Sequence, residues 1–192
     1  IQRGAGVIVC TRMPSDNVIA VAGEFACPMV VVDDGVDALE KIAGFWRDKL
    51  HAIVIGVTGS TGKTSTKDFL RSVFSQHFKT AATQGNQNNE IGMPNTLFRL
   101  DKSVEYAVVE MGMDHLGEIE RLARCARPSA GIITMIGVSH LENLGTRENI
   151  LKAKMEICAG LPDGAPLALN ADNDLLPTAS VPARLRPVWF GI

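Results

Sequence analysis

"GVTGSTGKTST", residues Gly56 to Thr66, decides the fold. An apolar run, "HAIVI" (51–55), leads into it, and a helical pattern, "KDFLRSVFSQHF" (67–78), leads out. Gly56, Gly59 and Gly62 are three apart, and Lys63 and Thr64 follow directly. The common phosphate-loop spacing, G-x-x-x-x-G-K-[ST], would begin at position 57, where this chain has Val57. The physics survives that departure. A buried strand enters, glycines let the backbone curl, and amides converge at the start of a helix, where anions are favoured. Lys63 offers a compact cation to the β and γ phosphates, and Thr64 offers a hydroxyl to Mg²⁺. The expected ATP contacts are Gly59, Ser60, Thr61, Gly62, Lys63, Thr64 and Ser65. A ligand-free glycine turn would not require all these features together.

The rest of the chain alternates strand and helix. "VIVCT" (7–11) and "PMVVVDD" (28–34) suit buried strands, with a loop-like segment between them. "VDALEKIAGFWRDKL" (36–50) has helical spacing, with Leu39, Ile42, Ala43 and Trp46 on one side. After the glycine loop, Phe69, Leu70, Val73 and Phe74 form the expected core face of a helix. "VEYAVVEMG" (104–112), "AGIITMIG" (130–137) and "PLALNAD" (166–172) read as further strands. "LGEIERLARCA" (116–126) and "TRENILKAKMEICAGL" (146–161) read as helices, the second ended by Gly160 and Pro162. This order predicts an α/β fold: a P-loop and a mostly parallel sheet with helices on both faces, preceded by the end of a small α/β unit. Ligands then belong beyond the carboxyl ends of the strands. The predicted boundary falls after residue 50. The chain starts with Ile1 in mid-pattern and ends on "RLRPVWFGI", a strand with nothing after it, so a fragment of a longer protein is expected.

Composition excludes several classes. A net charge of -2 with few aromatics argues against a nucleic-acid surface. No apolar run is long enough to span a bilayer, and no signal peptide is visible. Cys10, Cys27, Cys125 and Cys158 lie far apart with no CxxC pair, as expected of free core thiols in a reducing cytoplasm.

Four further residue groups could carry chemistry. Glu110 ends the second long strand, opposite the glycine loop, which is a natural place for a Mg²⁺ ligand. His140 follows the third strand in "GVSHLE"; by spacing alone such a histidine is more often incidental than a ligand. Asn86, Asn88, Asn89 and Glu90 cluster before a helical run, either as a capped loop or as a substrate-binding set. On a helical wheel, Ile150, Leu151, Ala153, Met155, Ile157 and Cys158 make a broad apolar arc, with Lys152 and Glu156 on the polar side. Lys154 falls in the middle of that arc, where a lysine must snorkel, find a partner or lose its charge.

The loop spacing G-x-x-G-x-x-G-K-[ST] resembles that of the Mur ligase family, the ATP-dependent amide-bond enzymes of peptidoglycan synthesis; folylpolyglutamate synthases share the general build. "TQGNQNNEIGMPNTL" (83–97), "VVEMGMDHLGEIERL" (108–122) and "SHLENLGTRENILKAKMEI" (139–157) are similar to segments of the family member that acts last in the cytoplasm, in the same order. The resemblance covers about residues 1–175. It implies the tail of an N-terminal UDP-sugar-binding domain (1–50) and part of a central ATP-binding domain (51–192), without the C-terminal ligase domain. It implies UDP-N-acetylmuramoyl-tripeptide and D-alanyl-D-alanine as partners, no nucleic acid or membrane, and a monomer. The implied reaction activates a carboxylate as an acyl phosphate, which an amine then attacks. By the same resemblance, His140 and a Lys154 carbamylated by CO₂ are ligands of a second metal, Lys63, Lys154 and His140 are catalytic, and Asn86, Asn88, Asn89 and Glu90 bind substrate. Asp114 and His115 are expected to shape the substrate channel. Another Mur ligase, a folylpolyglutamate synthase, and a P-loop kinase or NTPase switch are the rival readings. A fragment of this length is expected to bind nucleotide without making the amide.

Overall fold

A computed structural model describes residues 1 and 3–192. The strands are β1 (Ile8–Cys10), β2 (Met29–Val31), β3 (Ile53–Thr58), β4 (Thr80–Ala82), β5 (Tyr106–Glu110), β6 (Ala130–Ile133), β7 (Pro166–Asn170) and β8 (Arg186–Phe190). The helices are α1 (Asp16–Glu24), α2 (Gly35–Arg47), α3 (Lys63–Phe74), α4 (Gly92–Phe98), α5 (Glu118–Ala126), α6 (Leu141–Leu144) and α7 (Arg147–Met155). A 3₁₀ turn over Glu156–Gly160 extends α7.

Six strands form one sheet in the order β4-β5-β3-β6-β7-β8, and every pair is parallel. The chain leaves β3, reaches the edge at β4, returns through β5 and crosses to β6 on the far side of β3. The carboxyl end of β3 therefore opens between connections that run in opposite directions, which is where ligands bind in such sheets.

Strand alternation sorts the core onto two faces. Val54, Ala107, Val109 and Ile133 join the large core under α2, α4, α5 and α7. Ile55, Val57 and Val108 face the other way and pack with Leu70 and Phe74 of α3. Helices thus cover both faces, as the alternating pattern predicts. On the large-core side the layers meet closely. A Cβ on Gly56 would stand 3.1 Å from Ile157 Cδ1, and one on Gly160 would collide with the Ala123 carbonyl.

β1 and β2 form a separate two-stranded parallel sheet. The structure corrects two expectations here. The segment between these strands is the helix α1, not a loop. The strands are only half covered, with Val9, Val30 and Val31 exposed, because a two-stranded sheet has too little area to bury both faces. α2 reaches across to the larger sheet. The Trp46 indole donates to the Leu100 carbonyl at 3.1 Å, and Arg47 Nε donates to the Ala126 carbonyl at 2.9 Å.

Helix faces were harder to assign. Phe69 is 70% exposed, and Val73 and Ile42 are also exposed, so only Leu70 and Phe74 of the expected α3 face meet the sheet. The strand expected over 130–137 stops at Ile133. Residues 134–139 leave the sheet and turn to support the glycine loop. All four cysteines are free, and burial pushes the Cys125 and Cys158 thiols up to about 11, so they remain protonated fillers.

These assignments separate two substitutions of similar chemistry. Ile157→Ala removes a fully buried side chain between sheet and helix and is expected to cost about 2–5 kcal/mol. Phe69→Ala is expected to stay within about 0.5 kcal/mol, as an exposed site does. Urea unfolding of the two variants checks both numbers.

Candidate nucleotide and metal site

The loop between β3 and α3 is held from beneath by the segment that follows β6, through backbone and side-chain bonds. Ser60 N donates to the Met135 carbonyl at 2.9 Å. Gly137 N donates to Ser60 Oγ at 2.9 Å, and Ser139 Oγ donates to the Ser60 carbonyl at 3.4 Å. Thr134 Oγ1 donates to the Thr61 carbonyl at 2.5 Å. Gly59 has φ 147° and lies so close that a Cβ would collide with Thr134 Oγ1, so only glycine fits. Gly62, at φ 80°, caps α3. The supporting segment is itself tied down. Asn170 Nδ2 donates to the Thr134 carbonyl at 3.0 Å, and Asn173 Nδ2 and Arg147 Nη2 donate to the Ile136 carbonyl at 3.1 and 2.9 Å.

Lys63 Nζ reaches back across the loop and donates to the Gly59 carbonyl at 2.9 Å. Burial lowers its pKa from the usual lysine value, while the Glu110 carboxylate pulls the other way. Thr64 Oγ1 donates to Glu110 Oε2 at 3.0 Å. Glu110 is almost fully buried, and its other oxygen accepts from Asn88 Nδ2 at 2.8 Å. The Glu110 amide donates to Thr83 Oγ1 at 3.0 Å. A buried carboxylate held by a hydroxyl and an amide, with no salt-bridge partner among the described residues, suits a divalent cation. Among the described residues no three His, Cys, Asp or Glu side chains converge as a metal cage. Any metal here must be shared with ligand oxygens, the usual arrangement for Mg²⁺ beside phosphates.

Of the remaining expected ATP contacts, Ser60 directs its hydroxyl to the supporting segment and Thr61 Oγ1 lies 2.7 Å from Met135 Sδ. Ser65 is exposed on the first turn of α3. Asn88 alone of the polar cluster reaches Glu110. Asn89 Oδ1 accepts from Gly92 N at 2.8 Å and starts α4. Asn86 is exposed, and Glu90 is half-buried.

His140 adopts a left-handed conformation, φ 67°, that a non-glycine residue takes at a cost of roughly 1 kcal/mol or more. It aims Nδ1 at Asp114 Oδ1, 2.9 Å away. Asp114 therefore orients His140, a role the sequence did not disclose, whereas His115 turns to Glu118. Glu156, placed on the polar side of the wheel, is half-buried and accepts from Gly117 N at 2.7 Å, tying the Asp114 loop to the end of α7.

Lys154 is fully buried, and its Nζ has no hydrogen-bond partner among the described residues. Burial first, and the nearby charge of Lys63 second, push its pKa down to about 7, against Asp114, Glu156 and Glu118. It does not snorkel. A buried amine held near neutrality beside a phosphate loop can act as a nucleophile or accept a modification.

A strand-loop-helix phosphate cradle, a hydroxyl and carboxylate beside it, and a fully buried lysine define a P-loop nucleotide-binding domain. Residues 57–189 match the family model described as the Mur ligase middle domain, and the chain belongs to that family. It is 44% identical over 151 residues to the UDP-N-acetylmuramoyl-tripeptide--D-alanyl-D-alanine ligase of Bacillus subtilis, covering 79% of this chain and 33% of that protein. It is 38% identical over 171 residues to the Escherichia coli protein of the same name, covering 89% of this chain and 36% of that one. The crystal structure of a Thermotoga maritima MurF ligase in complex with ADP matches with a TM-score of 0.84 at 32% identity, over 99% of this chain and 42% of that one. The chain thus spans about a third of the length of its curated relatives.

The buried amine makes a signed prediction. Its folded pKa, about 7, lies below the unfolded value near 10.5. Between these values the unfolded chain holds more protons, so wild-type stability rises as pH climbs from 7 towards 10.5, and the penalty is full below 7. In CO₂-free buffer Lys154→Met is expected to stabilise the protein by up to about 4 kcal/mol at pH 6. The gain should shrink steadily by pH 10, as followed by denaturant midpoints.

Proposed function

We propose that this chain is the nucleotide-binding centre of an ATP-dependent ligase that joins D-alanyl-D-alanine to UDP-N-acetylmuramoyl-tripeptide in the cytoplasm. Residues 1–50 are the tail of its UDP-sugar-binding domain and residues 51–192 part of its central domain, in a longer polypeptide that works as a monomer. The relatives and the ADP complex named above support the substrates and the nucleotide. The observation that carries the reading is Lys154, a fully buried amine with no partner at the phosphate loop. A kinase or a switch has no need of it.

The reaction follows from the charges. The substrate carboxylate attacks the γ-phosphorus of ATP, the bond to ADP breaks, and an acyl phosphate results. The dipeptide amine then attacks the acyl carbon and forms the nitrogen–carbon bond; the bond from that carbon to the phosphate oxygen breaks, inorganic phosphate leaves with the electron pair, and the amine loses a proton. Lys63 moves from the Gly59 carbonyl to the transferring phosphoryl group and balances its charge. Thr64 and Glu110 would hold one Mg²⁺, and His140 and Lys154, once carbamylated, would hold a second; bound there, such ions would supply charge neutralisation between phosphate and carboxylate oxygens. The Lys154 amine attacks CO₂, forms a nitrogen–carbon bond and releases a proton. A buried positive charge becomes an anion facing Lys63. Asp114 holds the His140 ring, and Asn88 fixes Glu110. Asn86, Asn89 and Glu90 line the approach of the peptide.

Phosphate release by the full-length protein with Mg-ATP is expected only when both UDP-N-acetylmuramoyl-tripeptide and D-alanyl-D-alanine are present, with the amide product seen by mass. Release without them, or only with another amine, overturns the substrate assignment. Lys63→Ala should lower kcat by roughly 10²–10³-fold. Wild-type enzyme stripped of CO₂ should regain rate on adding bicarbonate, whereas Lys154→Ala should not. Residues 1–192 alone should bind Mg-ATP and make no amide; robust synthesis by this chain would refute the domain assignment.

A further inference from the structure

Lys63, Lys67 and Arg71 stand at i, i+4 and i+8 on α3, a run of like charge along one side of the helix from its first turn to its last. Such spacing is unfavourable for the helix alone. Lys63 serves the phosphate loop. Lys67 and Arg71 line a separate cleft of about 570 Å³ between α3 and the β4–α4 edge, together with Thr64, Asp68, Thr83 and Arg99.

Lys67 is 3% exposed, and among the described residues its one salt-bridge partner is Asp68, 3.3 Å away and largely in solvent. Arg99 Nη1 donates to the side-chain oxygens of Gln84 and Gln87 at 2.9 and 2.8 Å, which are neutral acceptors that leave its charge unbalanced. Among the described residues Arg71 has no carboxylate partner. Three cations thus face one carboxylate in a cleft that shares Thr64 with the phosphate loop. Burial of Lys67 with so little compensation costs stability that an anionic ligand would restore.

We propose that this cleft is an oxyanion subsite, distinct from the phosphate loop, that holds a carboxylate or phosphate of the acyl substrate through Lys67 and Arg71. The proposal rests on the function proposed above for its choice of substrate. Its contact with Thr64 places one anionic group of that substrate beside the transferring phosphate, so the cleft would act on substrate affinity rather than on nucleotide affinity. Arg99 also positions the 84–87 loop, so it is not the residue to test.

The experiment is phenylglyoxal labelling of Arg71 in the full-length protein, read by peptide mass mapping. Inorganic phosphate should slow labelling severalfold in wild type and in Lys63→Ala, and not in Lys67→Met. UDP-N-acetylmuramoyl-tripeptide should protect at lower concentration. Protection by the tripeptide form but not by UDP-N-acetylmuramic acid assigns the site to a peptide carboxylate; equal protection by both assigns it to the nucleotide phosphates. In turnover, Arg71→Gln and Lys67→Met should each raise the KM for the acyl substrate about tenfold or more, with the KM for ATP within about twofold. Protection by Mg-ATP alone, or unchanged acyl-substrate KM in both variants, overturns the subsite. If wild type fails to bind the muramoyl peptide at all, the function assigned above fails, and inorganic phosphate alone decides the cleft: no protection in wild type, or protection that survives Lys67→Met, overturns it.

Discussion

An excess of buried positive charge governs this structure. Lys63 and Lys154 approach each other at the carboxyl end of β3, and neither has a carboxylate of its own. Burial lowers the pKa of each, and the charge of Lys63 lowers that of Lys154 further. Such a cluster is costly on its own and becomes favourable beside a polyanionic ligand. Everything near it holds polar groups in place without neutralising them. Glu110 is tethered by Thr64 and Asn88 rather than by a lysine, and His140 is aimed by Asp114 from a strained backbone.

The scaffold that maintains this tension is built in layers. Parallel strands bring Thr58, Glu110 and Ile133 to one edge through the β5-β3-β6 register. The chain beyond Ile133 then folds under the glycine loop instead of extending the sheet. Side chains from farther along the sequence, Arg147, Asn170 and Asn173, take up the carbonyls that this departure leaves free. Glu156 performs a similar service between α7 and the start of α5. Lys154 on α7 and His140 just before α6, fourteen residues apart, are therefore fixed in relation to each other through loops rather than through a hydrogen bond of their own.

Much of this was legible in the residues. The strand–glycine–lysine run, the buried strands and the odd lysine of the α7 wheel are local patterns, and local patterns survive into the fold. The α1 helix was missed because its weak apolar stripe covers a sheet too small to demand one. The face of α3 differs from the expected one because Phe69 and Val73 have core chemistry at positions the sheet does not reach, while Lys67, at helical spacing from Leu70 and Phe74, is buried. Within the site, Glu110 and Lys154 could be singled out from position in an element. The Asp114–His140 and Asn88–Glu110 pairs could not, because each joins loops that only the tertiary fold brings together. Thr134 left no signal: its role lies in where β6 stops.

The attachment of Ser60 to the segment beneath it sets a mechanical condition. Its amide, its carbonyl and its hydroxyl are all engaged by residues 135–139. The phosphate cradle cannot peel away from the sheet to admit or discharge a ligand without breaking all three contacts together. It behaves as an anvil, a fixed surface for whatever is set against it. Admitting or releasing a ligand without breaking those contacts falls to the surfaces across from this face.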